Sequence, residues 1–485
     1  MIDYNALIRG ANLSIRMVSK RLIEGVAEQK ATNAKNESFA FVLHVRAVIE
    51  LALLELTCVA KALFNTQHPY AKRYHNKNLK AYSSECYKML YHFGKARKHS
   101  IWRIFEEIVV ALGDSEIAGR YKDITKQLVT FGDTQIDKPL RDITMHYDVD
   151  MLAVYDKTVA LKSEEIVAKY YCDFNDILQQ MLQLTIDVAD RLDEPTEQAT
   201  IKISTSILDN GRCGEFQDNP KLRDAIEMVI AQGPKELDET ATLKRSLEQT
   251  LAKMKNLAQR LPKDEADNLY AELRIPIDLC NTQMLLRHTF MDLAVVCEAF
   301  LNSTNTMEAC LNLRRLVIHE AAMMGLLYGY EEDTRDKKQW EVIKRLVPQS
   351  LIARAAALEG LMDILIVFID KDKRHGFVHL YDDKGNVRVQ EFVDSMERLD
   401  FKYEMGVSMT VAKLYEQMML FLADLMNTIA AKKHQEAEDS TKRLNEMFDS
   451  MIAAIQQAPV EEEQKQHSVG VIKGIKQRIN DVEIL

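Results

Sequence analysis

The sequence predicts an all-α protein with two helical bundles in tandem. Only 17 Gly and 9 Pro occur among the 485 residues, which is roughly half the usual combined share of these helix-breaking residues. The chain has 22 Met and is otherwise rich in Leu, Ala, Glu and Lys, all of which favour helices. Its length exceeds that of one typical domain of about 150 residues, so more than one helical unit is expected.

Apolar residues recur every three or four positions between residues 4 and 65, which predicts two long amphipathic helices. The same spacing continues through residues 101–112, 121–131, 164–192, 221–262 and 279–431. Pro195 and the polar run at residues 209–220 interrupt the spacing, so a first domain boundary is expected near Pro195. Pro276 predicts a later break in the helical pattern.

These interruptions divide the chain into four expected segments. They are a helical bundle at residues 1–195 with a basic and aromatic insertion at about 68–103, a polar linker and charged helical spacer at 196–276, a second helical bundle at 277–431, and a charged helical tail at 432–485.

Composition excludes several classes of protein. A net charge of −10 argues against a protein whose whole surface binds nucleic acid. Seven scattered cysteines without a Cys-x-x-Cys pair argue against a disulfide framework and a thiolate zinc site, and fit a reducing cytoplasm. No export signal or membrane span is recognisable.

Glycine-rich phosphate loops, His-Glu-x-x-His and Gly-x-Ser-x-Gly are absent from the sequence, so we expect neither a cofactor nor a catalytic metal.

One pattern occurs twice along the chain. Residues 136–148 are IDKPLRDITMHYD and residues 369–382 are IDKDKRHGFVHLYD. Five identities fall at the same spacing: Ile136, Asp137, Lys138, Arg141 and His146 against Ile369, Asp370, Lys371, Arg374 and His379. The segments around Arg46 and Trp102 also resemble those around Arg315 and Trp340, so the chain looks duplicated.

In each copy the histidine follows the arginine by five residues, a rotation of about 140° on a straight helix. Both side chains can therefore face one pocket only where the helix starts or bends. Pro139 and Gly376 permit such an irregularity in the two copies. Asp137 and Asp370 lie four residues before the arginines, where a carboxylate can hold a guanidinium. The alternative is a pair of ordinary surface ion pairs.

Arginine and histidine together suit RNA cleavage without a metal. An imidazole can remove the proton of a ribose 2′-OH, a guanidinium can stabilise the phosphorane, and a second imidazole can protonate the leaving 5′ oxygen. Arg141 and Arg374 are thus candidates for transition-state stabilisation, and His146 and His379 for proton transfer, if the two copies meet. By contrast, Arg314 and His319 have the same spacing but lie in an apolar helix, where we expect His319 to be a packed or capping histidine.

The two motifs, R-D-I-T-M-H and R-H-G-F-V-H, resemble the Arg-polar-x3-His signature of HEPN domains, with Asp142 and His375 as the polar residues. The resemblance implies helical bundles, metal-independent ribonuclease activity that leaves 2′,3′-cyclic phosphate, and a composite site that is often formed across a dimer. It also implies a role in toxin–antitoxin or antiviral defence. His379-Leu380-Tyr381 looks like the extended form whose tyrosine is adenylylated by a partner nucleotidyltransferase, which makes an antitoxin of that kind an expected partner. HEPN domains without nuclease activity exist as well. The alternative is therefore a catalytically silent helical scaffold that binds a protein or nucleic acid.

Residues 68–103 carry nine Lys or Arg against one acid, Glu85, together with five tyrosines and Trp102. Basic residues can neutralise phosphates while aromatic rings stack on unpaired bases. The candidate RNA-binding residues are Lys72, Arg73, Lys95, Arg97, Lys98 and Arg103. A solvated basic helix whose aromatic residues pack inward is an equally weighted interpretation. A further alternative is that the charged tail drives oligomerisation and that the second bundle is purely structural.

Overall fold

The computed structural model describes residues 4–32, 37–92, 94–136, 150–160, 164–192, 214–258, 262–330, 335, 338–369, 388–457 and 461–480. Every regular element in these ranges is helical, so the protein is all-α as predicted. None of the helices in these ranges is both long and apolar enough to cross a membrane.

The described residues of the first half of the chain form a series of helices. Its elements are α1 (Tyr4–Thr32), α2 (Glu37–Asn65), α3 (Pro69–Tyr91), a 3-10 helix (Gly94–His99), α4 (Ile101–Ala111), α5 (Ser115–Thr134), α6 (Met151–Val159) and α7 (Glu164–Arg191). Polar side chains fix where two of these helices begin. Ser100 Oγ accepts a hydrogen bond from the Arg103 amide, and Asp114 Oδ1 accepts one from the Glu116 amide, so α4 and α5 start as N-capped helices.

The described elements in the middle and the second half of the chain are helices as well. Their elements are α8 (Gly214–Gln217), α9 (Pro220–Ala258), α10 (Lys263–Leu301), α11 (Thr306–Leu327), α12 (Gln339–Lys344), a 3-10 helix (Gln349–Leu351), α13 (Ile352–Phe368), α14 (Val389–Arg398), α15 (Phe401–Gln457) and α16 (Glu462–Asn480). The expected break at Pro276 is wrong, because α10 continues through this residue. Proline removes one intrahelical hydrogen bond, but packing of α10 against both α9 and α11 maintains the helix on either side. Helix α15 likewise continues without interruption past residue 431, where the charged tail was expected to begin.

The order of elements repeats along the chain. Each half has two long helices, a short helix with a buried tryptophan (Trp102 or Trp340), a helix that leads to the repeated motif, a short helix after the motif, and a long helix. The duplication predicted from the sequence would pair α1 with α10, α2 with α11, α4 with α12, α5 with α13, α6 with α14, and α7 with α15. Helix α3 and the following 3-10 helix have no counterpart among the described residues of the second half, and they coincide with the insertion expected at about 68–103.

The chain divides into two compact units. The first contains Met1–Arg345 and Leu358–Glu416, and the second contains Leu346–Ala357 and Gln417–Leu485. In the first unit, helices from both halves share a core, since α2 packs against α11 as well as against α1, α3 and α7. The tandem arrangement of two separate bundles stays a prediction. Within the second unit, Arg354 pairs with Asp424, and Lys476 Nζ lies 2.6 Å from Asp449 Oδ1.

Candidate functional sites

The residues that the sequence nominates for catalysis lie outside the described residues. They are Arg141, His146, Arg374 and His379, together with the supporting Asp137, Asp142, Asp370 and His375 and the candidate modification site Tyr381. The described structure shows how the chain enters and leaves each of these two segments.

The segment after the first motif is anchored firmly. Asp150 caps α6, accepting a hydrogen bond from the Leu152 amide at 3.1 Å, and its Oδ1 lies 2.5 Å from Lys244 Nζ of α9. The Met151 amide donates to Asn281 Oδ1 of α10 at 3.1 Å. Partial burial opposes ionisation of Asp150, but its hydrogen bond and charge interaction with Lys244 hold the pKa of this carboxyl below its ordinary value. The chain that leaves the first motif is therefore tied to the second half of the protein.

Described residues on both sides of the second motif are also held by contacts, and the helix after it contacts the first half of the chain. Before the motif, the Ile369 amide donates to the Leu365 carbonyl at 2.8 Å, and Ile369 is buried. After the motif, α14 packs against α1 and α2 of the first half and against α11 of its own half. The Cys310 thiol of α11 donates to the Met396 carbonyl at 3.4 Å, which helps to fix α14.

Helices α6 and α14 thus make reciprocal contacts. Helix α6 of the first half packs against α10, and α14 of the second half packs against α1. Helix α6 begins five residues after His146 and contacts α10, and α14 begins ten residues after His379 and contacts α1.

A buried polar cluster lies in this shared core, between α3, α10 and α11. Tyr70 Oη donates to Asp292 Oδ1 at 2.8 Å, and Lys77 Nζ lies 3.4 Å from Asp292 Oδ2. Tyr74 Oη and His319 Nε2 are 2.6 Å apart, and His288 Nε2 is 3.6 Å from Asp292 Oδ2. His319 is consequently a packed histidine, as the sequence predicts. Because these side chains are all buried, we assign the cluster to the packing of the two halves.

Buried ion pairs join α2 to α11 beside this cluster. Lys61 Nζ contacts both carboxylate oxygens of Glu308 at 2.7 and 2.9 Å. Glu55 pairs with Arg314, and its Oε2 lies 3.0 Å from Arg315 Nη2. All these groups are buried, so each charge depends on its partner across the two halves.

Burial lowers the pKa of several histidines, including two in this cluster, and so makes stability depend on pH. Burial lowers the pKa of both His288 and His319 to about 4, against an ordinary value of about 6.5. Between pH 6.5 and 4 the unfolded chain therefore binds more protons than the folded chain. The free energy of unfolding should fall with decreasing pH in this window, by about 1.4 kcal/mol per pH unit for each histidine at most.

Urea unfolding at pH 7, 6 and 5 measures this dependence. His319→Gln should reduce the slope, whereas His434→Gln, on the surface of α15, should leave it unchanged. An unfolding free energy in the parent chain that stays constant from pH 7 to pH 5 would refute the expectation.

The aromatic residues of the basic segment at 68–103 do not form the surface for base stacking that is one interpretation of its composition. Its tyrosines and Trp102 are buried, because they pack inside the bundle: Tyr70 and Tyr74 contact α10 and α11, and Trp102 Nε1 donates to Thr125 Oγ1 at 2.9 Å. Lys77 is buried as well. These aromatic faces are unavailable to bases, which corrects the stacking interpretation and favours inward-packing aromatic residues.

The candidate RNA-binding residues in this segment differ in exposure. Arg73 and Lys98 are exposed, whereas Lys72, Arg97 and Arg103 are half-buried; the side chain of Lys95 lies outside the described part of the structure. Arg97 Nη2 lies 2.5 Å from Asp133 Oδ1, and Arg103 Nη1 lies 2.8 Å from Glu106 Oε2. Arg97, Lys98 and Arg103 line a broad open groove. Its positive charge is thus partly neutralised by neighbouring acids.

No family model matches the chain, and comparisons with curated proteins and with solved structures give no match. Among the described residues, no group of three or more His, Cys, Asp or Glu side chains is arranged to hold a metal ion.

Proposed function

We propose that the chain is a metal-independent endoribonuclease of the HEPN type, whose two motifs form one composite active site. The observation that supports this most strongly is the reciprocal packing of α6 and α14. The first described helix after each motif contacts the other half, which suits two motifs acting on one phosphodiester. The duplicated Arg-polar-x3-His pattern supplies the chemistry.

In the proposed reaction, one imidazole of His146 and His379 removes the proton from a ribose 2′-OH, and the oxygen attacks the adjacent phosphorus. Arg141 and Arg374 stabilise the charge on the phosphorane. The other imidazole donates a proton to the departing 5′ oxygen. The products are a 2′,3′-cyclic phosphate and a 5′-hydroxyl, so atoms and protons balance without a metal-bound nucleophile.

Basic residues of the insertion are proposed to guide the RNA by phosphate contact rather than by stacking. Arg73 and Lys98 are exposed, and exposed Lys and Arg bind phosphates without reading the base sequence. In a toxin–antitoxin or antiviral setting, adenylylation of Tyr381 by a nucleotidyltransferase would add bulk and negative charge beside His379 and switch cleavage off.

Incubation of the purified chain with total RNA in the presence of EDTA tests the proposal. We expect cleavage that persists in EDTA and products that end in 2′,3′-cyclic phosphate. Products that appear only when Mg²⁺ is added would contradict the mechanism, and intact RNA under all conditions would favour the catalytically silent scaffold.

A further inference from the structure

The last part of the described chain, residues 431–457 of α15 together with α16, forms a tail hairpin with very little core. Lys476 Nζ of α16 lies 2.6 Å from Asp449 Oδ1 of α15. Because only a few residues separate the two helices along the chain, they run antiparallel, side by side. Among the described residues of this hairpin, the buried apolar side chains are Phe448 and Ile472.

Both helices of the tail hairpin expose apolar side chains. On α15, Leu444, Met447 and Met451 recur at three- and four-residue intervals, and on α16 Val471 and Ile475 are four residues apart. All five are between 38 % and 50 % exposed. A single apolar side chain on a surface is ordinary, but a contiguous set marks an interaction site.

The exposed side chains lie on one face of the hairpin. A residue one position before another, or three positions after it, is rotated from it in the same sense, by about 100° or 60°. On α15, Met447 and Met451 have these offsets from the buried Phe448. The exposed pair on α16 has the same offsets from the buried Ile472. Equal rotations on two antiparallel helices lead to the same side, so the two helices share one apolar face.

The preceding part of α15 has far more apolar cover than the tail hairpin. Nine apolar side chains are buried between residues 401 and 425: Phe401, Met405, Val407, Val411, Leu414, Met418, Phe421, Leu422 and Leu425. Since burial of apolar surface is the main favourable term in folding and association, the tail hairpin is stabilised when another apolar surface covers its exposed face. Two such hairpins packed face to face give a four-helix bundle, in which every helix has two neighbours.

The charges beside the apolar face are complementary to those of a second copy of this chain. Arg443 and Glu446 are exposed and flank the apolar face on the side away from α16. If α15 packs antiparallel to α15 of a second copy, with Leu444 opposite Met447, each Arg443 comes within one turn of the other copy's Glu446. The two-fold axis repeats this pair. Ion pairs at such flanking positions set the partner and the direction of packed helices.

We propose that the tail hairpin joins two copies of this chain into a dimer. The exposed apolar face of one hairpin packs against the same face of the other, α15 against α15 in antiparallel direction, and the four helices form one bundle. Dimerisation at this surface does not require the proposed ribonuclease activity.

Sedimentation equilibrium of the full-length chain at micromolar concentrations tests the proposal. The parent chain should sediment with twice the mass of one chain. Met447→Glu brings two like charges into the centre of the apolar face and should weaken self-association by at least about 100-fold. Met409→Glu is the matched control, because Met409 is 62 % exposed on the same helix but lies outside the tail hairpin. It should leave the dimer unchanged.

Charge reversal tests the direction of packing. Arg443→Glu and Glu446→Arg each replace two attractive pairs per dimer by repulsion, and each should weaken self-association by about 10-fold. The double variant restores complementary charges and should recover the dimer. A mixture of the two single variants should also dimerise, because one chain is then acidic and the other basic at these positions. Circular dichroism of all variants verifies that helicity is kept, since glutamate, methionine and arginine have similar helix propensities.

A parent dimer that is lost in Met447→Glu, kept in Met409→Glu and recovered in the double charge reversal supports the proposal. A parent chain that sediments as a single copy at every concentration overturns it and leaves the apolar face to a different protein. A dimer that survives Met447→Glu, an equal loss in the two methionine variants, or a double reversal that dimerises no better than the single ones also overturns it.

Discussion

Replacing either His146 or His379 by alanine is expected to abolish RNA cleavage in EDTA. General acid–base catalysis by a positioned side chain contributes about 10²- to 10⁴-fold, and in the proposed composite site the two imidazoles hold successive protons of one reaction. Each single variant should therefore lose about 10³-fold in cleavage rate, and the double variant should lose little more, because residues that act as a unit are not additive. Single-turnover cleavage of a labelled RNA measures the effect.

The matched control is His434→Ala, which removes an exposed histidine of α15 that pairs with Glu438. It should cleave RNA like the parent chain, and all variants should keep the same helicity and melting temperature. Mixing His146→Ala with His379→Ala gives a further result. Activity should stay absent if the two motifs meet within one chain, and should return in part if they meet across a dimer. Full cleavage activity in both single variants would contradict the proposed mechanism.

The second large effect is expected from Glu55→Gln. The Glu55 carboxylate is the buried partner of both Arg314 and Arg315. Burial, with the adjacent charge of Arg315, lowers the pKa of Arg314 to about 9, so this guanidinium is still charged at neutral pH. Removing the carboxylate leaves two buried cations without their anion. Breaking a buried pair in this way costs about 3–5 kcal/mol, and urea unfolding measures the loss.

Glu106→Gln provides the comparison, because its partner Arg103 lies 2.8 Å away in a pair that is over a third exposed. A pair of this kind contributes about 0–1 kcal/mol. Since Glu55 and the arginines come from different halves, Glu55→Gln should also destabilise both halves together in one cooperative transition. A loss in Glu55→Gln no greater than that in Glu106→Gln would show that the pair does not stabilise the shared core.

The helices follow from sequence pattern where an apolar stripe and a cap coincide. The predicted helix over residues 101–112 corresponds to α4 (Ile101–Ala111), capped by Ser100, and that over residues 164–192 to α7 (Glu164–Arg191). Local pattern is insufficient where tertiary packing dominates. Pro276 remains inside α10 because neighbouring helices on both sides maintain it.

The pairing of the buried charged and polar side chains could not be predicted from the sequence. Glu55 and Lys61 are charged residues within an apolar stretch of the sequence, but their burial depends on Arg314, Arg315 and Glu308, more than 240 residues away. The sequence does give one signal of such buried charges, which is an apolar helix that carries charged residues but has no polar face. This signal does not show which distant residues pair with them. The same limit applies to Tyr70 and Tyr74, since composition does not tell an inward ring from an outward one.

The central claim is that the two motifs act on one phosphate. A crystal structure of the chain with an RNA that carries a 2′-O-methyl group at the cleaved position, which keeps the 2′ oxygen but blocks its attack, tests it most directly through the distances from His146 and His379 to that oxygen and to the 5′ oxygen of the phosphate. The account predicts both imidazoles within about 3 Å of the reacting oxygens or one water away, whether they come from one chain or from two. Side chains of His146 and His379 in separate, closed environments, remote from each other and from those of a second copy, would contradict it.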